Sequence, residues 1–351
     1  MAITLELDQL SHISELCTEE AEGAVRCLAC AHRCLIRPGK RGICGVRYNE
    51  AGKLRVPWGY VAGVQVDPVE KKPFNHFLPG RQVLTFGMLG CNFHCSFCQN
   101  WKTSQALCDP AAARSIQQIT KVDPEELVAL AVKNGASALA SSYNEPLISS
   151  EWAIDIFKEA KKFDLKTAFV SNGYATPEAL HALSPWLDGY KIDLKSMQER
   201  RYREMGGNLN HVLDSIRLAR ELGLWVEVVT LVIPGFNDSI DELWDLSRFL
   251  VSVSADIPWH VTAYHPDYRM EDIPATPAAI LQQAAEIGEE AGLQFVYAGN
   301  LPGKVGSLED TLCPKCKHIL IRRRGFWVLE NHLTSAGNCP DCGQKIPGVW
   351  S

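Results

Sequence analysis

No apolar run in this 351-residue chain approaches the length needed to cross a bilayer, so no membrane-spanning helix is expected. The first residues, Met1-Ala2-Ile3-Thr4-Leu5-Glu6, lack the basic start and apolar core of a secretory signal. Both absences predict a cytoplasmic protein. An excess of basic residues is missing too. The formal net charge is -6, which argues against nucleic acid being drawn to the whole surface, although a local basic patch is not excluded. The chain has no low-complexity tract and no long internal repeat. Hydrophobic residues make up 46% and charged residues 22%, the balance of an ordinary globular protein. The length suffices for two or three domains, or for one large barrel with additions.

Cysteine is abundant, at 13 residues. Its clustering argues against a disulfide framework. All but Cys17 and Cys108 fall into three compact groups: Cys27, Cys30, Cys34 and Cys44; then Cys91, Cys95 and Cys98; then Cys313, Cys316, Cys339 and Cys342. Close Cys-x2-Cys pairs in an intracellular chain are metal or redox sites. Cys17 and Cys108 read as ordinary thiols.

The central group runs Cys91-Asn92-Phe93-His94-Cys95-Ser96-Phe97-Cys98, a Cys-x3-Cys-x2-Cys spacing. Three thiolates can hold three corners of a [4Fe-4S] cluster and leave the fourth iron without a protein ligand. Electron-transfer clusters are closed by four cysteines. An open position is what a catalytic metal site keeps for a small molecule. Zinc or a purely structural cluster is the alternative for this spacing alone.

The terminal pairs, Cys313-Pro-Lys-Cys316 and Cys339-Pro-Asp-Cys342, are knuckles separated by a β-rich stretch. They predict a tetrahedral four-thiolate site, a zinc ribbon, with strands near Ile319–Ile321 and Phe326–Leu329. Arg322-Arg323-Arg324 beside Phe326 and Trp327 reads as a solvated hairpin turn, with contact to RNA or an acidic partner as the other option. The first group must also hold something, because a short glycine-rich segment has little core of its own. Its spacing leaves zinc and an auxiliary iron–sulfur cluster both open.

Three regions follow: a Cys-rich metal-binding segment over residues 1–80, a β/α region over 81–305 and the ribbon over 306–351. In the middle region, Asp123-Pro124-Glu125-Glu126 is a helix start, with an Asp cap, Pro in the first turn and acidic residues at the positive end. Asn134-Gly135 stops that helix. Strand candidates at 83–86, 138–142, 167–170, 189–194, 225–231, 260–263 and 295–296 alternate with helical stretches, which implies a parallel sheet. The fold class is therefore α/β, a partial (β/α)6-type barrel, and catalytic groups are expected at strand C-terminal ends. Polar residues do collect there: Asn144-Glu145, Ser171-Asn172, Lys191-Ile192-Asp193-Leu194-Lys195 and His265. Strand alternation puts Lys191, Asp193 and Lys195 on one face, which is costly inside a barrel without a ligand or partner. Turns, a strand-end salt bridge and an ordinary histidine are the structural alternatives.

With these residues in place, the chain resembles the radical S-adenosylmethionine (SAM) superfamily. Cys44-Gly45-Val46-Arg47, Asp67-Pro68-Val69-Glu70-Lys71-Lys72-Pro73, His76-Phe77-Leu78-Pro79-Gly80, the run from Gly90 to Asn100 and Pro266-Asp267-Tyr268-Arg269-Met270 are similar to its AmmeMemoRadiSam branch, related to pyruvate formate-lyase activating enzymes. The resemblance implies that the SAM amine and carboxylate take the open iron. It also implies that an electron from the cluster then yields a 5'-deoxyadenosyl radical. A flavodoxin or ferredoxin would supply that electron. Cys91, Cys95 and Cys98 become cluster ligands. Glu145, with Asn144, becomes a contact for the methionyl ammonium, although Tyr143-Asn144-Glu145-Pro146 stands where many members have Gly-Gly-Glu. Ser171, Asn172, Asp193, Lys195 and His265 become SAM or substrate contacts, and Phe97 packs near adenine. Hydrogen abstraction from a protein is the leading expectation. Modification of RNA, a nucleotide or a small molecule is the second, and a non-catalytic iron–sulfur or zinc protein the third.

Overall fold

The computed structural model describes residues 7–351. The reading of Met1–Glu6 falls outside them. The centre is an eight-stranded sheet. Strand β1 (Gly63–Pro68) runs antiparallel to β2 (Gln82–Gly87). From β2 the sheet is parallel and follows chain order through β3 (Ala138–Ser141), β4 (Lys166–Ser171), β5 (Gly189–Asp193), β6 (Trp225–Val232), β7 (Trp259–Ala263) and β8 (Val296–Gly299). Strands expected from sequence lie within a residue of these bounds, except the last, expected at 295–296 and found to run on to Gly299. The parallel run is longer than six, because β8 pairs with β7 and leads into the ribbon. The sheet also reaches back past residue 80 through β1.

Local chemistry starts the helices between the strands. Helix α1 (Pro124–Lys133) opens on a capping box: Asp123 Oδ1 accepts from the Glu126 N–H at 2.8 Å, and Glu126 Oε2 accepts from the Asp123 N–H at 3.1 Å. Helix α2 (Ser150–Lys161) sends Trp152, Ile156 and Phe157 inward, all fully buried. Thr176 caps α3 (Pro177–Leu183), and Ser239 caps α5 (Ile240–Val253), beyond α4 (Leu209–Glu221). These apolar faces close over Leu84, Leu139, Phe169, Ile192 and Val228 of the sheet. Among the described residues, no helix is long and apolar enough to cross a membrane.

The first cysteine group sits on small antiparallel sheets, one of them built from Cys17–Glu19, Val25–Cys27 and Leu35–Ile36. A buried ion pair between Arg47 and Glu151 clamps this segment to α2. The ribbon strands β9 (Thr311–Leu312), β10 (Ile319–Arg324) and β11 (Trp327–Asn331) form a second small sheet. Its three arginines divide. Arg322 and Arg324 are exposed, whereas buried Arg323 donates to the Asn75 carbonyl and to Thr311 Oγ1, each at 2.7 Å. The reading of the whole triplet as a solvated turn is corrected at Arg323, because strand alternation turns it inward.

Candidate active site

The loop after β2 carries Cys91, Cys95 and Cys98, and all three line one cavity of about 430 Å³. Two close approaches set the loop's shape. Gly90 (φ +92°) leaves no room for a side chain, since a Cβ there would stand 2.9 Å from Val46 and 3.0 Å from the Cys44 carbonyl. On the other flank, the His94 N–H donates to the Met205 carbonyl at 3.1 Å, and glycines 206 and 207 let that segment pack against His94 and Phe93. The Phe93 N–H lies 3.4 Å from Cys91 Sγ, and Ser104 Oγ lies 3.3 Å from Cys98 Sγ.

Strand ends supply the rest of the wall, as the barrel geometry requires. Glu145 accepts from Ser171 Oγ and the Asn172 N–H, each at 2.7 Å, and from the Leu147 N–H at 3.1 Å. A carboxylate offers about four acceptor positions, so roughly one remains for a ligand. Burial pushes its pKa up to about 7, against the pull of those donors. Asn144 holds the end of β2 by accepting from the Met88 N–H at 3.0 Å. Asn172 is committed as well: its Nδ2 donates to Asn92 Oδ1 at 2.8 Å, and its Oδ1 accepts from the Tyr174 N–H at 3.0 Å.

On β5, Asp193 sits between Lys191 and Lys195, 3.3 Å from the latter. Burial pushes its carboxyl up, but the two ammonium groups outweigh that and hold it below the usual carboxylate range. Lys195 is itself raised, because Asp193 overcomes the burial that opposes its charge. Phe97 meets Phe236, of the Pro-Gly loop after β6, edge to face at 5.4 Å, with Lys195 Nζ 5.8 Å from the Phe97 ring. This polar-and-aromatic wall can hold a zwitterionic, ring-bearing ligand. His265 is the exception among the expected contacts. It is exposed and outside the cavity lining, paired with Gln99 at 2.9 Å on the rim.

Other residues reach the cavity unannounced. Buried Lys72 comes from the segment before β2, held by Asp67 at 3.2 Å and Tyr143 OH at 3.4 Å. Asn300 follows β8, and Phe326 comes from the ribbon. Lys72 lies within a segment quoted above for its resemblance, which was the only available signal. Nothing local marks Phe326.

The radical SAM superfamily description matches residues 86–250. An uncharacterized protein of Methanocaldococcus jannaschii is 36% identical over 328 residues, spanning 93% of this chain and 96% of that one. The chain belongs to the radical SAM superfamily. An isethionate sulfite-lyase activating enzyme of Oleidesulfovibrio alaskensis is 25% identical over 172 residues, 48% of this chain, and the match spans about half (54%) of that enzyme. A GTP 3',8-cyclase of Aquifex aeolicus is 25% identical over 256 residues, 67% of this chain and 77% of that one.

For a radical SAM protein, a [4Fe-4S] cluster and SAM are implied, and the residues fit both. Three thiols face one cavity, and they are not drawn together within the 4.8 Å that a single ion would ask of them; among the described residues only the terminal set is. In that set, Cys313, Cys316, Cys339 and Cys342 are mutually close, with Sγ–Sγ separations of 3.6 Å across two pairs. Four thiols so placed can hold one metal ion.

Proposed function

We propose that this radical SAM protein abstracts hydrogen from a protein substrate, in the manner of activating enzymes, and that it belongs to the AmmeMemoRadiSam branch. The observation carrying the catalytic half is the convergence of Cys91, Cys95 and Cys98 with Glu145, Asp193 and Lys195 on one cavity. When bound, the cluster and SAM would supply reductive sulfonium cleavage and so a 5'-deoxyadenosyl radical. In this reading Cys91, Cys95 and Cys98 hold the cluster. Glu145, through its remaining acceptor position, orients the methionyl ammonium. Asn144, Ser171 and Asn172 keep Glu145 and the cluster loop in place. Asp193 and Lys195 offer opposite charges to the cofactor's polar groups, Phe97 packs against its aromatic part, and His265 meets substrate at the rim.

Two features favour a protein as substrate. The similarity to an isethionate sulfite-lyase activating enzyme covers 48% of the chain. The ribbon hairpin also brings Phe326 to the cavity while Trp327 and Leu329 stay exposed beside it, an apolar ledge for a macromolecule. A one-electron protein donor such as flavodoxin or ferredoxin is part of this reading, as are zinc in the ribbon and a cytoplasmic setting. The similarity to a GTP 3',8-cyclase over two thirds of the chain favours a second reading, a nucleotide, RNA or small-molecule substrate.

Anaerobic reconstitution followed by dithionite and SAM tests the chemistry. Release of 5'-deoxyadenosine is expected from the native chain and not from Cys95→Ala. Turnover in that variant, or its absence in the reconstituted native protein, would overturn the assignment. Electron paramagnetic resonance of a candidate protein client, set against mass spectrometry of RNA and nucleotide pools, separates the two substrate readings.

A further inference from the structure

We propose that Cys27, Cys30, Cys34 and Cys44 hold a second iron–sulfur cluster, placed as an electron relay to the cluster at Cys91, Cys95 and Cys98. The relay half rests on the proposed function; the iron–sulfur half does not.

Three of the four thiols are buried and Cys34 is partly so, and none is in a disulfide. Their spacing speaks to the metal. A single tetrahedral ion with bonds of about 2.3 Å draws its thiolates to about 3.8 Å from one another. The terminal set has that compactness, at 3.6 Å. Among the described residues, neither the first set nor the barrel set brings three thiols within 4.8 Å. A cube of irons and sulfides stands between its cysteines and keeps them apart. The first set thus shares the open arrangement of the barrel triad and not that of the ribbon.

A second observation points the same way. Asn92 is buried beside Cys91, and its Oδ1 is taken by Asn172. Its carboxamide stands near the Cys30 sulfur, and no acceptor meets Nδ2 in hydrogen-bond geometry. A buried donor without an acceptor calls for one. A metal-bound thiolate or a cluster sulfide at this place supplies it.

The two cysteine sets touch through both neighbours of Cys91. Gly90 meets the Cys44 carbonyl, and Asn92 meets Cys30. The contact is braced by His32, whose Nε2 donates to the Asn92 carbonyl at 2.9 Å, and by the Ala31 N–H, which donates to the Tyr174 carbonyl at 3.0 Å. One electron from a low-potential protein donor would enter at the first cluster and leave to the second. The first cluster is then reoxidised and the second reduced, with no bond made or broken.

The test uses the full chain with Cys91, Cys95 and Cys98 all changed to Ala, purified and reconstituted anaerobically. About four irons and four sulfides per chain should remain. Zinc beyond the ribbon's own ion in place of that iron, or a folded chain without iron after reconstitution, overturns the proposal. Cys30→Ala in the native background should lose about the same amount of iron, and if that variant does not fold, the triple variant still decides. The relay is read from electron paramagnetic resonance of the reduced native protein. Spin–spin interaction absent from the triple variant is expected, and two independent signals would refute the relay. Iron–sulfur at the first set without SAM cleavage would sink the proposed function and leave the cluster standing; zinc there with SAM cleavage would do the reverse.

Discussion

Asn172 Nδ2 donates to Asn92 Oδ1 over 2.8 Å, so the end of β4 holds the residue next to Cys91. Both side chains are buried. Asn172→Ala removes the amide donor from Asn92 Oδ1, a loss of about 1–3 kcal/mol. The cluster loop should loosen as well. Urea unfolding reads the first effect, and the rate of iron loss to a chelator reads the second. An unchanged rate of iron loss would show that this contact does not position the loop.

Glu145 sets a pH dependence. Its pKa in the fold, raised to about 7 by burial, lies above the ordinary value of about 4.3 that the unfolded chain adopts. Between those two values the unfolded chain releases a proton that the folded chain keeps, so stability falls as pH rises and levels off above about pH 7. The cost is about 4 kcal/mol. Glu145→Gln removes the titration and should flatten the stability profile of the cofactor-free protein between about pH 5 and 7. Parallel profiles for the two proteins would contradict this.

Gly207→Ala places a methyl 2.4 Å from Phe93 Cζ and 2.5 Å from Cε1. Overpacking of this kind costs about 1–3 kcal/mol. Phe93 stands between Cys91 and Cys95 along the cluster loop, so both the melting temperature and the iron bound after reconstitution should drop. Full iron binding with a lowered melting temperature would mean that the loop absorbs the strain elsewhere.

Glu227 gathers four donors under the barrel: the Asn75 and His76 N–H groups and Trp225 Nε1, each at 2.9 Å, and His260 Nε2 at 2.7 Å. Burial pushes its carboxyl up, but the His260 hydrogen bond and the charges nearby outweigh that and hold it below the usual range. Its contribution is therefore present above the unfolded value and is lost as pH falls. Glu227→Ala should cost about 3 kcal/mol or more by stranding those donors. His76 also bonds the Pro347 carbonyl at 2.7 Å and Tyr297 OH at 2.6 Å, so the ribbon should be freed along with the barrel floor. Limited proteolysis near residue 310 would register that release, and an unaltered cleavage pattern would count against the coupling.

Cys339→Ser should weaken metal retention in the ribbon while some SAM cleavage persists, since no ribbon cysteine lines the cavity. Metal analysis and 5'-deoxyadenosine release measure the two. Complete loss of cleavage with the barrel cluster intact would place the ribbon within the catalytic unit.

The parts of the site legible in sequence were those set by short-range rules. Cys-x3-Cys-x2-Cys spacing is a local constraint, and so is the placement of Glu145, Ser171 and Asp193 just where strands end. His265 obeyed the same rule yet stands exposed on the rim, paired with Gln99. Lys72, Asn92 and Phe326 carried no such mark. Their roles depend on packing against residues far away in sequence: Lys72 against Tyr143, Asn92 against Asn172 and Cys30, Phe326 through the docked ribbon.

By itself the sequence determined three cysteine sets, the strand–helix alternation and the capped helix starts, because each arises from residues within a few positions of one another. Tertiary structure alone decided that one thiol set closes to 3.6 Å while the other two stay open, that Arg323 turns inward and that Gly90 and Asn92 bring two of those sets together. Those outcomes are set by buried contacts between distant segments, where close packing and the need to satisfy each buried polar group leave few arrangements.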